Sequence, residues 1–294
     1  MSALSGAIYD RSMNVSAVRP PVGELLRDWR RRRRLSQFAL ALDSGVSSRH
    51  LSFIETGRSR PSAEMVLHLA EQLDVPLRDR NNLLLSAGYA PAYSEHALDA
   101  PDMGPVRDAI DQVLRSHEPY PALVVDRHWG LVAANRSLAV LIGEVAPALM
   151  EPPVNVLRLS LHPDGLAPRI LNLHQWRSHL LDRLKHEAIA SGDPALTVLH
   201  DELASYPAPD IGEALDPAFA DIAVPLRIWH GHQQLSFLST KTSFETAVDV
   251  TVAELSIESF FPANRSTADA MRALLEAIQD DRPDPSPAYE SCGR

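Results

Sequence analysis

The chain has 294 residues, of which 45% are hydrophobic, and a formal net charge of −10. This composition is typical of a water-soluble protein of about two domains. It contains no apolar run near the ~18 residues of a membrane span, and its first residues lack the apolar segment of a secretory signal. Its one cysteine, Cys292, excludes an internal disulfide framework and a thiolate zinc finger, so we expect a cytoplasmic protein.

The charge is distributed unevenly along the chain. Residues 1–92 contain 13 basic and 9 acidic residues, whereas residues 93–294 contain 15 basic and 29 acidic residues. Affinity for nucleic acid depends on neutralising phosphates, so the first part fits a polyanionic partner and the second part does not. An acidic second part also suppresses non-specific binding to DNA.

The first part is helical by its apolar spacing. Over Val22–Tyr89, apolar residues recur at helical intervals between short polar breaks, which predicts five short helices. Three of these helices follow serines that are typical N-caps, namely Ser36, Ser47 and Ser62. Gly45 supplies a positive φ in a tight turn, and Gly88 ends the fifth helix. We therefore expect a small all-α domain over residues 20–91.

The segment Leu35–Gly57 carries the pattern of a helix-turn-helix. Its features are Ser36-Gln37 opening a helix, small Ala39, Gly45 in the turn, Val46-Ser47, Ile54-Glu55 and Gly57, followed by Pro61. On these residues the domain resembles the Cro/repressor-like, or XRE, helix-turn-helix family. The resemblance implies that the helix from Ser47 enters the major groove of DNA, and that Glu55 is structural. The alternative is a generic helical bundle with chance capping residues.

The candidate DNA contacts lie on the third helix or flank it. They are Gln37, Ser47, Ser48, Arg49, His50, Ser52, Arg58 and Arg60. We expect Arg49 to read a base, because a guanidinium can bond bidentately to guanine O6 and N7. Gln37, Arg58 and Arg60 would hold phosphates. We interpret Arg30–Arg34 mainly as a solvated end of the first helix that suits its dipole, with one or two reaching phosphate.

The second part is mixed α/β. We expect a linker over residues 92–104, a domain over residues 105–279, and disordered ends over residues 1–19 and 280–294. The apolar pattern of the domain predicts a hairpin that leads into a helix near Asn135, a helical region, three late strands and a closing helix. These segments are 122–126 and 131–134, then 166–204, then 224–229, 234–240 and 251–260, then 264–279.

The stretch Leu123–Ala139 resembles the opening of a PAS-type sensor domain, in which two strands lead into a helix that starts at an Asn. Further segments are similar to the MmyB-like ligand-binding domain that accompanies XRE-type DNA-binding domains, namely 155–163, 171–176, 193–194, 224–227, 235–240 and 258–262. The resemblance implies a bacterial transcription regulator with an α+β, PAS-like sensor domain and an antiparallel sheet. It also implies a small hydrophobic, fatty-acid-like ligand.

A pocket in such a domain is lined mainly by apolar side chains with a few polar groups. The candidate ligand contacts are Asn135, Arg158, His162, Asn172 and Trp176. An arginine among them could hold a carboxylate by a bidentate pair. Each also has a structural interpretation, since Asn135 can cap a helix, His162 can fix a loop and Trp176 can belong to the core.

Enzymatic motifs are absent from the sequence. It has no Gly-x-Ser-x-Gly elbow, no P-loop and no Gly-x-Gly-x-x-Gly before a helix. Two histidine pairs, His179 with His186 and His230 with His232, lack a third ligand at a known zinc spacing. We therefore expect no catalytic residue, no metal and no cofactor.

The sequence predicts a DNA-binding transcription regulator, specifically a repressor. One short helix reads few base pairs, so we expect a homodimer on a pseudo-palindromic operator. A hydrophobic ligand bound by residues 105–265 would change the spacing of the paired DNA-binding domains. Two alternatives stay open: a C-terminal domain that is a constitutive dimerisation or partner-protein platform, and an enzyme carried on a DNA-binding domain.

Overall fold

The computed structural model describes residues 19–207, 224–244 and 246–280. The chain divides after Ala92 into two compact units. The predicted disordered lead, up to residue 18, and the predicted tail, beyond residue 280, lie outside the described residues. Within those described, no helix is both long and apolar enough to span a bilayer.

The first unit contains five helices. They are α1 Val22–Arg32, α2 Gln37–Asp43, α3 Ser48–Glu55, α4 Ala63–Gln72 and α5 Leu77–Ser86. The three predicted serine caps are confirmed: Ser36, Ser47 and Ser62 each accept a hydrogen bond from the amide three residues later, at 3.0, 3.2 and 3.2 Å. Gly45 has the expected positive φ, at +66°, between α2 and α3.

The inner face of α3 belongs to the core of this unit. Leu51 and Ile54 are fully buried, together with Leu26 of α1, Leu40 of α2 and Leu69 of α4. Burial of such side chains stabilises the fold by ~1.5–3 kcal/mol each, so packing fixes which residues of α3 remain outside. The opposite face of α3 is thereby held outward.

A single glycine sets how closely α1 approaches α3. A Cβ added to Gly23 would lie 2.2 Å from the Ile54 carbonyl oxygen, and its next neighbours are backbone atoms of Glu55. Backbone cannot rotate away as a flexible side chain can, so only glycine permits this crossing distance. The signal was available in the sequence as a glycine inside a helical pattern.

The second unit combines an antiparallel sheet with helices. Its strands are β1 Ala122–Val125, β2 Leu131–Ala134, β3 Leu226–His230, β4 Gln233–Ser243 and β5 Ser256–Pro262. Its helices are α6 Gly104–Ser116, α7 Arg136–Ile142, α8 Val156–Leu161, α9 Leu173–Ser191, α10 Pro194–Ser205, α11 Val250–Ala253 and α12 Arg265–Asp280. The strand order is β2-β1-β5-β4-β3, and every pairing is antiparallel. This is a PAS-like α+β domain.

Both faces of the sheet are covered. Leu123 and Val125 of β1 point into the larger core with residues of α7, α8 and α9, whereas Ala122 and Val124 pack with Ile110 of α6 on the other side. Alternate residues of a strand face opposite ways, which explains why all four residues of β1 are buried. The unbroken apolar run of β1 in the sequence has this origin.

Two predicted segments differ from the structure. The predicted strand 251–260 begins too early, because Val250–Ala253 form a helical turn. The Asp249 carboxylate accepts hydrogen bonds from the amides of Thr251 and Val252 at 2.9 and 3.4 Å, and this local cap overrides the β-branched composition. The helical region 166–204 is divided where Gly192 takes the left-handed conformation, with φ +67°.

Part of the segment predicted as a linker packs on the second unit. Ser94 forms an isolated β-bridge with Asp249. The Arg107 guanidinium donates to the carbonyls of Leu98 and Ala100 at 2.6 and 2.9 Å. The segment predicted as a linker includes a helical turn at residues 101–103, which runs directly into α6.

We expect Gly23→Ala to destabilise the first unit by about 1–3 kcal/mol, because the added methyl group forces α1 away from α3. Urea denaturation followed by circular dichroism measures the change. Gly104→Ala is the control, since its added Cβ meets only the end of the Arg107 side chain, at 3.9 Å. Equal stability of the two variants would contradict the close-crossing account.

Candidate functional site

The outer surface of α3 presents the predicted DNA contacts. Ser47, Ser48 and Arg49 are exposed, and His50 and Ser52 are half-buried. Because Ser47 caps the helix, the side chains that follow it surround the N-terminal end of α3. Short polar side chains with one cation at a helix N-terminus form a surface that can approach base edges in a groove.

Two arginines flank one aromatic ring beside this surface. The Arg49 guanidinium carbon lies 5.3 Å from the centroid of the Phe53 ring, and that of Arg58 lies 6.0 Å from it. Such contacts orient a guanidinium without using its hydrogen-bond donors. Both cations are therefore positioned on the exposed side of α3 with donors available to a polyanion.

A buried ion pair fixes α3 from the inside. Arg30 of α1 donates Nε to Glu55 Oε1 at 2.7 Å and Nη2 to Glu55 Oε2 at 2.9 Å. The two residues are only 8% and 2% exposed. Gln37 of α2 donates to the same carboxylate at 2.8 Å, so one side chain at the end of α3 ties three helices together.

This network alters the acidity of Glu55. Burial alone would raise the pKa of its carboxyl, but the hydrogen bonds from Arg30 and Gln37 outweigh burial and hold that pKa below its ordinary value. The structural role expected for Glu55 is thus present in the geometry. Gln37, predicted as a phosphate contact, uses its amide nitrogen on Glu55 rather than leaving it toward solvent.

The arginine run Arg30–Arg34 is not uniform. The interpretation as a solvated helix end is wrong for Arg30, which is buried on Glu55, and for Arg33, which donates to the Leu73 and Asp74 carbonyls at 2.8 and 2.7 Å. Arg31, Arg32 and Arg34 are exposed. Sequence spacing along one helix gives no sign of carbonyls 40 residues away that need a donor.

Arg60 also has a structural partner. Its Nη2 and Nε donate to the Ala87 carbonyl at 2.8 and 3.2 Å, and its guanidinium carbon lies 5.5 Å from the Tyr89 ring centroid. A cation on a terminal carbonyl stabilises the end of a helix, here α5. Arg60 therefore holds the domain together at the loop where a phosphate contact was predicted.

The larger core of the second unit contains a cavity of about 70 Å³. Its lining is mostly leucine and aromatic side chains from α7, α8, α9 and the sheet, including Trp129, Leu138, Leu157, Trp176, Leu180 and Phe260. The polar side chains in the lining are Ser160, Arg183 and Glu258. An apolar cavity with a few polar groups is the usual form of a small-molecule site.

Trp176 is the one predicted ligand contact that lines this cavity. Its Nε1 donates to Ser160 Oγ at 3.0 Å. Asn135 caps α7 and, through its amide, holds the Leu114 and Tyr120 carbonyls at 3.2 and 2.8 Å. Asn172 bonds the start of β3, donating to the Pro225 carbonyl at 2.7 Å.

Arg158 and His162 meet at a cluster outside the cavity lining. Arg158 donates twice to Glu202, at 2.7 Å each, and Tyr206 donates to the same carboxylate at 2.7 Å. The His162 ring lies edge-on to Tyr206 with centroids 5.1 Å apart. Burial and the bond to Glu202 raise the pKa of Tyr206 to about 12. This arrangement ties α8 to the end of α10.

Arg183 and Glu258 were not predicted from the sequence. They lie 75 residues apart, on α9 and β5, and each alone resembles an ordinary charged residue of an amphipathic element. Glu258 stood within a segment noted for its family likeness, which was the available signal. Within the described residues, no group of three His, Cys, Asp or Glu side chains could hold a metal ion.

The first unit presents exposed polar residues on a capped helix-turn-helix, and the second, PAS-like unit contains an apolar cavity. Together these features are those of a DNA-binding transcription regulator with a ligand-binding domain. Residues 106–274 match the MmyB-like transcription regulator ligand binding domain, and residues 21–83 match a helix-turn-helix domain. The chain belongs to the family of MmyB-like transcription regulators.

Two individual proteins are also similar. The uncharacterized HTH-type transcriptional regulator RghRB of Bacillus subtilis (strain 168) is 40% identical over 81 residues, which are 27% of this chain and 56% of that protein. The chain thus covers little more than half the length of this relative. An RNA-binding light-oxygen-voltage receptor aligns over 90% of this chain and 66% of its own, with 17% identity and a TM-score of 0.27, too low to support an argument.

We expect Glu55→Gln to destabilise the first unit by about 3 kcal/mol, because it leaves the buried Arg30 charge without a counter-charge. Chemical denaturation measures the loss. Glu24→Gln is the control, since Glu24 is exposed in the first turn of α1. Near-equal effects of the two substitutions would show that the ion pair does not organise the unit.

The same pair predicts a pH dependence. The pKa of Glu55 is lowered in the folded state, so the unfolded state binds this proton more readily and stability falls as pH drops below the ordinary value of 4.5. Glu55→Gln should remove this part of the acid destabilisation. Parallel stability curves for the variant and the original chain between pH 6 and 3 would contradict it.

Proposed function

We propose that the chain is a cytoplasmic repressor that binds a pseudo-palindromic operator as a homodimer and responds to a small hydrophobic, fatty-acid-like ligand. The observation that supports DNA reading is the exposed N-terminal end of α3, held outward by the buried bond between Arg30 and Glu55. The observation that supports a ligand is the apolar cavity of the second unit.

In this proposal Arg49 reads one base pair, and Ser47, Ser48, His50 and Ser52 complete the surface that enters the major groove. Arg49 has a long, exposed side chain at the second position of α3, and its contact with Phe53 limits the directions it takes. A bidentate pair with guanine would supply ~1–3 kcal/mol of discrimination.

Phosphate contacts fall to side chains around this surface. Arg58 is exposed and lies beside Phe53, on the same side as Arg49. Arg60 and Gln37 contribute less by direct contact, because they already bond to Ala87 and Glu55. Their main contribution is to keep the loop after α3 and the start of α2 in place.

Ligand binding requires the cavity to grow. Pockets for drug-sized molecules occupy ~300–1,000 Å³, whereas this cavity has about 70 Å³. An alkyl chain would therefore separate the side chains of α7, α8 and α9 that line it. A ligand that stabilises an enlarged core differs in affinity for the two states of the domain, which any ligand-driven switch requires. Trp176 is the predicted residue best placed to contact it.

The second candidate function keeps DNA binding but makes the C-terminal domain a constitutive platform for dimerisation or for a partner protein. The small volume of the cavity favours this alternative. The two proposals differ in their response to amphiphiles.

The DNA-reading proposal predicts different effects of two arginine substitutions. Arg49→Ala should lose ~1–3 kcal/mol of discrimination at one base position, whereas Arg58→Ala should weaken binding to all duplexes and reduce the slope of log affinity against log salt by about 1. Fluorescence anisotropy on duplexes that carry every single-base change in the operator measures both. An unchanged preference in Arg49→Ala would refute the base-reading role.

The ligand proposal predicts stabilisation by a fatty acid. At a concentration 100 times its Kd, dodecanoate should stabilise the folded protein by ~2.7 kcal/mol. A thermal melt with and without dodecanoate, below its micellar concentration, measures this effect. If no amphiphile stabilises the protein and the dimer persists without any amphiphile, the platform alternative is supported instead.

A further inference from the structure

Two charged side chains, Arg183 and Glu258, line the cavity and bond to each other. Arg183 of α9 donates Nη2 to Glu258 Oε1 of β5, and its Nη1 lies 3.4 Å from Oε2. Glu258 is buried, and both residues line the cavity among apolar side chains. A carboxylate and a guanidinium in the wall of an apolar space are costly to desolvate, which makes this pair unusual for a plain core.

Arg183 has further partners that would hold it without Glu258. Its Nε lies 3.6 Å from Glu187 Oε1, and its guanidinium carbon lies 4.5 Å from the Trp129 ring centroid. Trp129 Nε1 donates to Glu187 Oε2 at 2.9 Å, and Lys241 Nζ lies 2.7 Å from Glu187 Oε1. Glu187 and the Trp129 ring thus hold the guanidinium at its Nε and its face, while its Nη atoms face Glu258.

The charged side chains near Glu258 come from two neighbouring elements, β4 and α9. Its cross-strand neighbours are Leu123 on β1 and Lys241 on β4. From α9 it faces Arg183 and Glu187. Burial and, after it, the Arg183 charge lower the pKa of the His179 imidazole, also on α9. After burial, the bond from Arg183 has the largest effect on the pKa of Glu258.

We propose that Arg183 is the head-group site of the cavity: it exchanges Glu258 for the carboxylate of an apolar ligand, and the released Glu258 takes up a proton. This inference rests on the proposed ligand function. Glu258 bonds to the guanidinium edge that the ligand carboxylate would take, and therefore competes with it.

The asymmetry of the pair favours an anionic head over a cationic one. A guanidinium stays charged at any physiological pH and needs a counter-charge, whereas a buried carboxyl can become neutral. A cationic head group that took Glu258 would leave Arg183 with less compensation. A carboxylate head keeps Arg183 paired bidentately and costs one proton taken up from water.

Burial already raises the pKa of Glu258, even though Arg183 and Lys241 act in the opposite direction. When Arg183 turns to a ligand carboxylate, its lowering effect is lost and the negative ligand adds a raising one, so the pKa rises further. Between the two pKa values, binding takes up a proton. Affinity for the carboxylate then falls as pH rises, by at most about tenfold per pH unit.

The test uses the full chain with three twelve-carbon probes, namely dodecanoate, dodecanol and dodecylamine, each below its micellar concentration. Isothermal titration between pH 5 and 8 gives the Kd of each. We expect dodecanoate to bind at least about tenfold tighter than the other two. Arg183→Gln should abolish that preference. Glu258→Gln should tighten dodecanoate binding and remove the dependence on Glu258 protonation.

Glu202→Gln is the matched control, because it removes the carboxylate of another bidentate arginine pair, with Arg158, outside the cavity lining. It should change neither head-group preference nor pH slope. Thermal melts establish that each variant folds. If Arg183→Gln does not fold, the Glu258→Gln variant and the pH slope of the original chain decide the matter.

Any of three results would overturn this inference while leaving a hydrophobic ligand in place. They are equal affinity for dodecanoate and dodecanol, a preference for dodecylamine, and an unchanged Kd and pH slope in Glu258→Gln. Absence of binding by all three probes to every folded variant would overturn the ligand function as well.

Discussion

The DNA-binding unit depends on one carboxylate, that of Glu55. It receives two hydrogen bonds from Arg30 and one from Gln37, so the end of α3 is bonded to α1 and to the start of α2. Gly23 lets α1 approach closely enough for these bonds to form. Without a fixed α3, the exposed side chains at its other end would have no defined direction, and a helix that reads bases must hold them within a fraction of an ångström.

The second unit is packed differently from the first. Its sheet is packed on both faces, yet the larger core retains a cavity with a charged pair in its wall. Trp129, at the β1–β2 turn, has a φ of +66° and is buried, a strained conformation for a bulky residue. Such strain persists only where the surroundings over-determine it and often marks a functional region. A cavity, a buried ion pair and a strained tryptophan thus coincide at one place.

Local chemistry explains why much of the fold was predictable. Serine caps, the positive φ of Gly45 and the Asn135 cap of α7 depend on residues within a few positions, so they are visible in the sequence. The β1–β2 hairpin was predictable for the same reason. The outward direction of Phe38 and Leu42, 69% and 71% exposed on α2, was not, because it depends on which face of the helix the other helices cover.

The candidate sites show the same difference between features set by local sequence and features set by tertiary packing. The exposed surface of α3 was predictable because the motif fixes which helix faces outward. The charged pair in the cavity lining was not, since Arg183 and Glu258 meet only when α9 packs on β5. Asn135, Arg158, His162 and Asn172 are polar residues in family-like segments, but contacts between elements occupy their side chains.

Regulation by this protein requires that the N-terminal end of α3 read base edges. Selection of binding sites from a fully randomised duplex library by the purified full-length protein, at 150 mM salt, tests it most directly. We expect enrichment of one short sequence repeated with two-fold symmetry and half-sites about one helical turn apart. A selected pool that stays random, or enrichment that survives unchanged when Ser48 and Arg49 are both replaced by alanine, would contradict it.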